Sequence, residues 1–187
     1  MMSDNQLIQA MLKGDDKAFR SLVLKYQDHM FSVCLSILKN RDEAQEATQD
    51  TFMKMYRAIG DYKSGAKFSS WLYKIAYRTS LDYLRKRKQT TDLEAVNGSA
   101  ISAVENRQLS MDNKELSSLL LEALETLPSD EAALLRMFYL EEMSIKELED
   151  ITGMGKSNVK VKLFRARKKM AEKLSRTNNE IEEFLHH

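Results

Sequence analysis

The sequence predicts an all-α protein made of two small helical domains joined by a linker. Its 187 residues include only one proline and six glycines, so few residues interrupt a helix. Apolar residues recur at steps of three and four in both halves, which is the period of an amphipathic helix. Residues 89–112 lose this rhythm and are rich in small and polar side chains, as linkers are. We therefore expect domains at 1–88 and 114–175, a linker at 89–113 and a C-terminal tail at 176–187.

The composition excludes several classes of protein. No stretch approaches about eighteen uncharged apolar residues, so we expect no membrane insertion. The amino terminus is polar and acidic, so we expect no signal peptide. Cys34 is the only cysteine, which rules out a disulfide framework within the chain and fits a cytoplasmic protein. Because Cys34 lies among Phe31, Val33 and Leu35, we expect it to be a packed core thiol.

In the first half, the spacing predicts four helices. A break at 14–15 separates a short helix from a long one. Asp42 is placed to cap a third helix, which ends where a loop at 60–70 begins. That loop is rich in Gly, Ser and Lys. The fourth helix begins near Ser69 and continues to the basic cluster at 85–88.

In the second half, the spacing predicts four more helices. A leucine stripe at helical spacing ends at Pro128, because proline cannot continue a helix. A second helix follows at about 130–140. Ser144 and Glu147 form a capping-box pattern that opens a short third helix, and Gly153 is suited to end it in a left-handed turn. A longer basic helix comes last.

The net charge of +1 conceals a segregation of charge along the chain. Positive residues collect at 63–88 and at 156–169. Negative residues collect at 42–50 and at 115–150. Blocks of opposite sign indicate more than one charged partner surface.

The segment from Ser144 to Lys169 has the parts of a DNA-binding helix-turn-helix: a short capped helix, a glycine turn and a longer basic helix. If Val159, Leu163 and Ala166 pack inward, the remaining arc faces solvent. That arc carries Lys156, Asn158, Lys160, Lys162 and Arg165. Cations there can neutralise phosphates, and Asn and Arg can pair with base edges in the major groove. An ordinary solvated basic face is the alternative; the capping box and the glycine favour DNA binding.

The fourth helix of the first half carries cations interleaved with aromatic residues. The cations are Lys74, Arg78 and Arg85, with Tyr73 and Tyr77 beside them. This combination suits single-stranded nucleic acid, because unpaired bases stack on rings while phosphates meet the charges. The two tyrosines fit either this surface or the core, whereas we expect Trp71 in the core. The acidic segment 42–52 is, by itself, more typical of a solvated face than of a docking surface.

Enzyme chemistry finds little support in the sequence. The three histidines are His29, His186 and His187, and none has a Cys or carboxylate companion at metal-ligand spacing. No glycine-rich phosphate loop and no G-x-S-x-G pattern is present. We therefore expect no catalytic residue, no metal, no cofactor and no small-molecule substrate.

Taken in order, these segments resemble the ECF (extracytoplasmic-function) sigma factors, which consist of little more than sigma regions 2 and 4. The resemblance covers roughly residues 5–88 and 114–175. Its most specific part is the stretch Phe68-Ser-Ser-Trp71-Leu-Tyr-Lys-Ile75-Ala76 with Leu81-Asp82-Tyr83-Leu84-Arg85. Further matching stretches are Ala18 to Tyr26, Asp42 to Phe52, Leu127-Pro128 and Asn158 to Arg167.

The resemblance implies three sets of site residues. The core RNA polymerase surface would contain Asp42, Glu46, Gln49, Asp50 and Phe52. The −10 promoter element would contact Lys63, Lys67, Lys74, Tyr77, Arg78 and Arg85, with a flipped base held by the loop around Lys63 to Lys67. The −35 element would contact Lys156, Ser157, Asn158, Lys160, Lys162 and Arg165. The implied partners are bacterial core RNA polymerase, promoter DNA and an anti-sigma factor.

Three positions depart from the family pattern. Tyr77-Arg78 stands where the family often has Arg-Asn, so the −10 contacts should differ. Glu149 occupies a helix-turn-helix position that is usually small, and Asp50 stands where Glu is commoner. Two other hypotheses are compatible with the sequence: a DNA-binding regulator with an unrelated first half, and a helical adaptor or an enzyme on a helical scaffold.

Overall fold

The computed structural model of the chain describes residues 2–63, 67–93 and 123–185. Within these ranges every regular element is a helix, which confirms the predicted fold class. The chain divides into two compact units, the first built mainly from residues before 94 and the second mainly from residues after 122. Most of the predicted linker, the centre of the loop at 60–70 and the terminal histidines lie outside the described residues.

Over its described residues, the first unit contains four α-helices and a short 3₁₀ turn. They are α1 (Asp4–Leu12), α2 (Asp16–Leu38), α3 (Arg41–Ala58), the turn Ile59–Asp61 and α4 (Phe68–Leu93). The break predicted at 14–15 is confirmed. Helix α4 continues five residues past its predicted end at Lys88, since no glycine or proline follows to stop it.

The second unit contains the helical residues 123–125, α5 (Ser129–Tyr139), α6 (Ile145–Thr152) and α7 (Lys156–Leu185). The helix predicted ahead of Pro128 is described only from residue 123. Helix α7 runs through the segment 176–185, which we had expected to be a tail.

The helix ends show which capping predictions were correct. Asn40, not Asp42, caps α3, because its side chain accepts a hydrogen bond of 3.0 Å from the backbone N–H of Glu43. The capping box ahead of α6 is confirmed: Glu147 accepts from the N–H of Ser144 at 2.9 Å, and Ser144 accepts from the N–H of Glu147 at 3.3 Å. Gly153 has φ of +74°, which confirms the left-handed turn.

The core of the first unit forms where α2, α3 and α4 meet. Leu22, Met30 and Val33 of α2 are completely buried, as is Leu72 of α4. Cys34 lies among them, as predicted, and burial raises the pKa of its thiol above 9.0. The residue is therefore a neutral packing element.

The core of the second unit forms where α5 packs against α7. Leu134 and Met137 of α5 are completely buried. Val159, Leu163 and Ala166 of α7 are buried as well, which confirms the predicted inward stripe. Across the described ranges, no helix is long and apolar enough to cross a membrane.

Glu142, in the turn between α5 and α6, has φ of +51°, a conformation that costs an L-residue about 1–2 kcal/mol. Its side chain is exposed. We expect Glu142→Gly to raise the free energy of unfolding by about 1 kcal/mol, because glycine adopts this conformation without strain. The measurement is urea unfolding of both variants and the parent protein. Glu142→Ala removes the same side chain but keeps the strain, so an equal gain for alanine would contradict the explanation.

Candidate functional site

The outward face of α3 carries a row of acidic and amide side chains. Asp42, Gln45, Glu46, Gln49 and Asp50 are all exposed and follow one another at helical spacing. Their position follows from packing, because the intervening small residues turn inward against α2 and α4. We call these five residues, together with the exposed Met53 and Tyr56 that follow them on the same face of α3, the acidic row. Four of the five residues predicted for polymerase docking lie on it.

Phe52, the fifth, does not lie on the acidic row. Only 5% of it is exposed, because it falls on the inner side of α3 together with Thr48 and Thr51. The expectation that Phe52 faces a partner is therefore corrected. Two residues that the sequence reasoning missed take its place: Met53 and Tyr56 are 47% and 45% exposed and continue the row. The helical step from Gln49, plus four and plus seven, could have found them.

On α4, three predicted cations share one face. Lys74 is half-buried, and Arg78 and Arg85 are exposed at steps of four and seven along the helix. Lys63 and Lys67, the described loop residues before and after positions 64–66, are exposed too. Arg85 also lies 3.1 Å from Asp82, one turn earlier.

Two aromatic residues of α4, Tyr77 and Trp71, lie differently from the prediction, and Tyr73, whose place the sequence left open, lies in the core. Tyr77 is 3% and Tyr73 is 1% exposed, so both belong to the core and neither ring can stack on a base. Trp71, expected in the core, is half-buried and points to the same side as Lys74. The burial of the two tyrosines has a simple cause: the inner face of α4 is wider than the stripe of Leu72 and Ala76, because α2 and α3 both cover it.

An aromatic cluster joins the two ends of the loop. Tyr62, before the loop, lies 5.3 Å from the ring of Trp71 and 5.7 Å from that of Phe68, both after it. Phe68 is buried and contacts Tyr26 of α2, whereas Tyr62 and Trp71 are half-buried. Partial burial raises the pKa of Tyr62, with a smaller contribution from the charge of Asp4. The partly exposed rings are therefore Tyr62 and Trp71.

In the second unit, α6, the glycine turn and α7 follow the predicted order of a helix-turn-helix. Five of the six predicted −35 residues are exposed: Lys156, Ser157, Asn158, Lys160 and Arg165. Two apolar residues that we had not predicted share their face, since Val161 is 45% and Phe164 is 62% exposed.

Lys162, the sixth, faces the protein. Its ammonium group forms an ion pair with Asp130 in the first turn of α5. About two turns further along α7, the ammonium group of Lys169 lies 2.8 Å from the buried carboxylate of Glu131. The expectation that Lys162 faces solvent was wrong, because its position on the helix lies close to the buried stripe of Val159 and Ala166.

The ion pair with Lys162 changes the pKa of Asp130. Burial alone would raise the pKa of this carboxyl group, but the hydrogen bond and the positive charge of Lys162 outweigh burial and hold the pKa below 3.8. The ionised pair therefore persists at neutral pH. Among the side chains that the structure describes, no group of three or more His, Cys, Asp or Glu could hold a metal ion.

Comparison with known families and proteins gives matches along most of the chain. The family model of Sigma-70 region 2 matches residues 22–90, and that of Sigma-70 region 4 matches residues 117–170. The ECF RNA polymerase sigma-E factor of Salmonella typhimurium is 29% identical over 182 residues, covering 92% of this chain and 95% of that protein. The RNA polymerase sigma-H factor of Pseudomonas aeruginosa is 29% identical over 173 residues, covering 88% and 90%.

Two solved structures share the fold. The sigma factor RpoE of Bartonella quintana, in complex with the anti-sigma factor NepR, superposes with a TM-score of 0.68 at 22% identity, covering 85% of this chain and 98% of that one. CnrH, in complex with the cytosolic domain of CnrY, superposes with a TM-score of 0.62 at 20% identity, covering 92% and 97%.

The fold and its surfaces define a helical DNA-binding protein with a helix-turn-helix in its second unit. The match of the first unit to sigma region 2 rules out a regulator with an unrelated first half. The chain belongs to the ECF family of RNA polymerase sigma factors. It is an initiation factor that directs promoter-specific transcription, and it is not an enzyme.

The ion pair between Lys162 and Asp130 predicts how the stability of the protein changes at low pH. Because the pKa of Asp130 is lower in the folded state, its stabilising contribution is present above pH 3.8 and is lost as the pH falls through the folded pKa. We expect Asp130→Asn to destabilise the protein by about 0.5–1 kcal/mol at pH 7, a partly exposed pair being worth no more. The difference between variant and parent should shrink towards pH 3 in thermal unfolding. Asp150→Asn, at an exposed site on α6, is the control and should show no such trend.

Because some cations of α7 are exposed while Lys162 is paired with Asp130, their contributions to the salt dependence of DNA binding should differ. Each phosphate contact that is lost lowers the slope of log affinity against log salt by about 1. We expect Lys160→Ala and Arg165→Ala to weaken duplex DNA binding and to reduce this slope, because both side chains are exposed. Lys162→Met should leave the slope unchanged, because its charge is paired internally. Fluorescence anisotropy of the full chain between 50 and 200 mM salt, a range over which such binding changes strongly, measures the slopes; equal slopes for Lys160→Ala and the parent would contradict the assignment.

Proposed function

We propose that three surfaces of this chain carry the three binding roles of a sigma factor. The acidic row of α3 docks on core RNA polymerase. The loop after α3, together with the cationic face of α4, binds the opened strand of the −10 element. The exposed face of α7 reads the −35 element in the major groove. The observation that supports the division best is that most of the described side chains of each surface are exposed, while packing uses the opposite side of each helix.

Docking on polymerase is supported by the make-up of the acidic row. Asp42, Glu46 and Asp50 would meet cations of the polymerase, and complementary charge accelerates encounter and sets the partner. Met53 and Tyr56 add apolar contact area, which charged side chains alone do not provide. Exposed aromatic and Met side chains are enriched at protein interfaces, where they supply desolvated anchoring area. A face that is acidic at one end and apolar at the other fits a protein partner and does not fit DNA.

Binding of the opened −10 strand is supported by partly exposed rings beside exposed cations. Tyr62 and Trp71 can each offer a ring edge or face to an unpaired base, while Arg78 and Arg85 can meet phosphates. This assignment replaces Tyr77, whose ring is buried. Extracting a base from the duplex costs a few kcal/mol. A loop that begins and ends in an aromatic cluster and carries Lys63 and Lys67 offers compensating stacking and charge.

Reading of the −35 duplex is supported by the side chains near the start of α7. Asn158 and Arg165 can form paired hydrogen bonds to adenine and guanine edges, and Lys156 and Lys160 can neutralise phosphates. The N–H groups in the first turn of the helix also favour a phosphate. Gly155 and Gly153 flank the turn without side chains that would hinder this approach.

Two further parts of the proposal rest on the family. We expect an anti-sigma factor to bind this chain, as the two structurally similar proteins are each bound by another protein. We also expect the chain to act in the cytoplasm, where polymerase and promoter DNA are found.

The decisive experiment tests docking. The purified chain, mixed with bacterial core RNA polymerase, should co-elute in size-exclusion chromatography and support run-off transcription from its promoter. We expect Glu46→Lys to weaken the complex at least tenfold, because a like charge placed against the polymerase costs well over 1 kcal/mol. Asp28→Lys, an equal charge reversal at an exposed site on α2, is the control. Specific duplex binding by the chain alone, with no polymerase complex, would refute the proposed function.

A further inference from the structure

A line of polar contacts connects α3 to α4 along one edge of the acidic row. At one end, the ammonium group of Lys54 donates to the hydroxyl of Thr79 at 3.0 Å and lies 3.6 Å from the carboxylate of Asp82. In the middle, the hydroxyl of Tyr83 donates to a carboxylate oxygen of Asp50 at 3.0 Å. We call these contacts, with the Arg87 contacts described next, the polar seam.

The other end of the polar seam is anchored by Arg87. Its guanidinium group pairs with Glu43 in the first turn of α3, with Nε 3.2 Å from the carboxylate. It also donates to the backbone carbonyl of Leu38, the last residue of α2, at 3.0 Å. One side chain of α4 thus connects the end of α2 to the beginning of α3. Although Arg87 belongs to the basic cluster 85–88, its guanidinium group serves the protein's own packing.

Asp50 belongs both to the polar seam and to the acidic row. The contact with Tyr83 engages one carboxylate oxygen, and the side chain as a whole remains exposed. Burial raises the pKa of Tyr83 to about 12, helped by the hydrogen bond to Asp50 and by the charges of Asp50 and Glu46. The phenol therefore stays protonated and donates at every physiological pH. Asp50 is held in one orientation by a residue of another helix.

We propose that Tyr83 is a positioning residue for polymerase docking, which fixes the carboxylate of Asp50 in its docking orientation from the helix that carries the −10 cations. The inference rests on the proposed docking role of the acidic row. Immobilising a free side chain at an interface weakens binding, typically by about two- to tenfold. When Tyr83 orders Asp50 during folding, that cost no longer falls on binding, and affinity rises accordingly.

The test uses Tyr83→Phe, which removes the hydroxyl group and keeps the ring. We expect its dissociation constant for core RNA polymerase to rise about two- to tenfold, the range that corresponds to ordering one side chain. In Asp50→Asn the charged acceptor is gone, so adding Tyr83→Phe should cause little further loss. A double-mutant cycle measures this non-additivity. An unchanged or tighter complex for Tyr83→Phe, or strictly additive losses, would overturn the inference.

Thr79→Val is the matched control. It removes another hydrogen bond of the polar seam, that of Lys54, and leaves Asp50 in place. Its affinity for polymerase should match that of the parent; a loss equal to that of Tyr83→Phe would mean that general loosening is the cause, and would also overturn the inference. Promoter affinity of the holoenzyme, measured at saturating sigma factor, should be unchanged in Tyr83→Phe, whereas a change there would count against a docking-specific role.

Failure of the proposed docking surface would look different. In that case Glu46→Lys and Asp50→Asn would both leave polymerase binding intact, and the inference would fall with the surface. If those two variants weaken binding while Tyr83→Phe does not, docking by the acidic row stands and only the positioning role of Tyr83 is refuted.

Discussion

The close packing of α3 between α2 and α4 is the constraint on which the first unit depends. The inner face of α3 carries small residues over its first part, where Ala44 and Ala47 are completely buried, and Phe52 and Met55 further along. The hydroxyls of Thr48 and Thr51 donate to carbonyls one turn back, at 2.6 and 2.7 Å, so their burial leaves no unsatisfied donor. Such residues let backbones approach closely. The approach brings Cys34 of α2 to the centre of the three helices.

This packing determines which residues lie on the outer face of α3. Once the small residues turn inward, helical geometry leaves the acids and amides of α3 no position other than the surface. The same approach brings α3 near enough to α4 for Asp50 to meet Tyr83 and for Glu43 to meet Arg87. In the second unit, the pairs of α5 with Lys162 and Lys169 have a similar effect. They hold α7 against α5 while its other side stays open.

Much of the fold could be predicted from the sequence, because helical period and end signals are local. The breaks at 14–15 and at Gly153 and the capping box at Ser144 each depend on a few neighbouring residues. Positions at the border of a helical face were harder. Phe52, Tyr77 and Lys162 each lie near the boundary between the buried and the exposed side of their helix. Whether such a side chain is buried depends on where the neighbouring helix packs, which is not a local property of the sequence. Lys162 turns towards α5, where its partner Asp130 lies 32 residues away in sequence.

A sigma factor binds both DNA, which is a polyanion, and a protein partner with one small chain. The distribution of charge explains how the two surfaces of the first unit stay distinct. The acidic row repels DNA phosphates, and the cations of α4 repel the basic surface that the row would meet, so each partner is selected by sign. Two surfaces of opposite sign on adjacent helices would weaken each other if unpaired charges met at their border. There the polar seam pairs Lys54 with Asp82 and Arg87 with Glu43, which makes the border close to neutral. The segregation of charge read along the sequence therefore becomes a separation of surfaces only because α3 and α4 pair their border charges with each other.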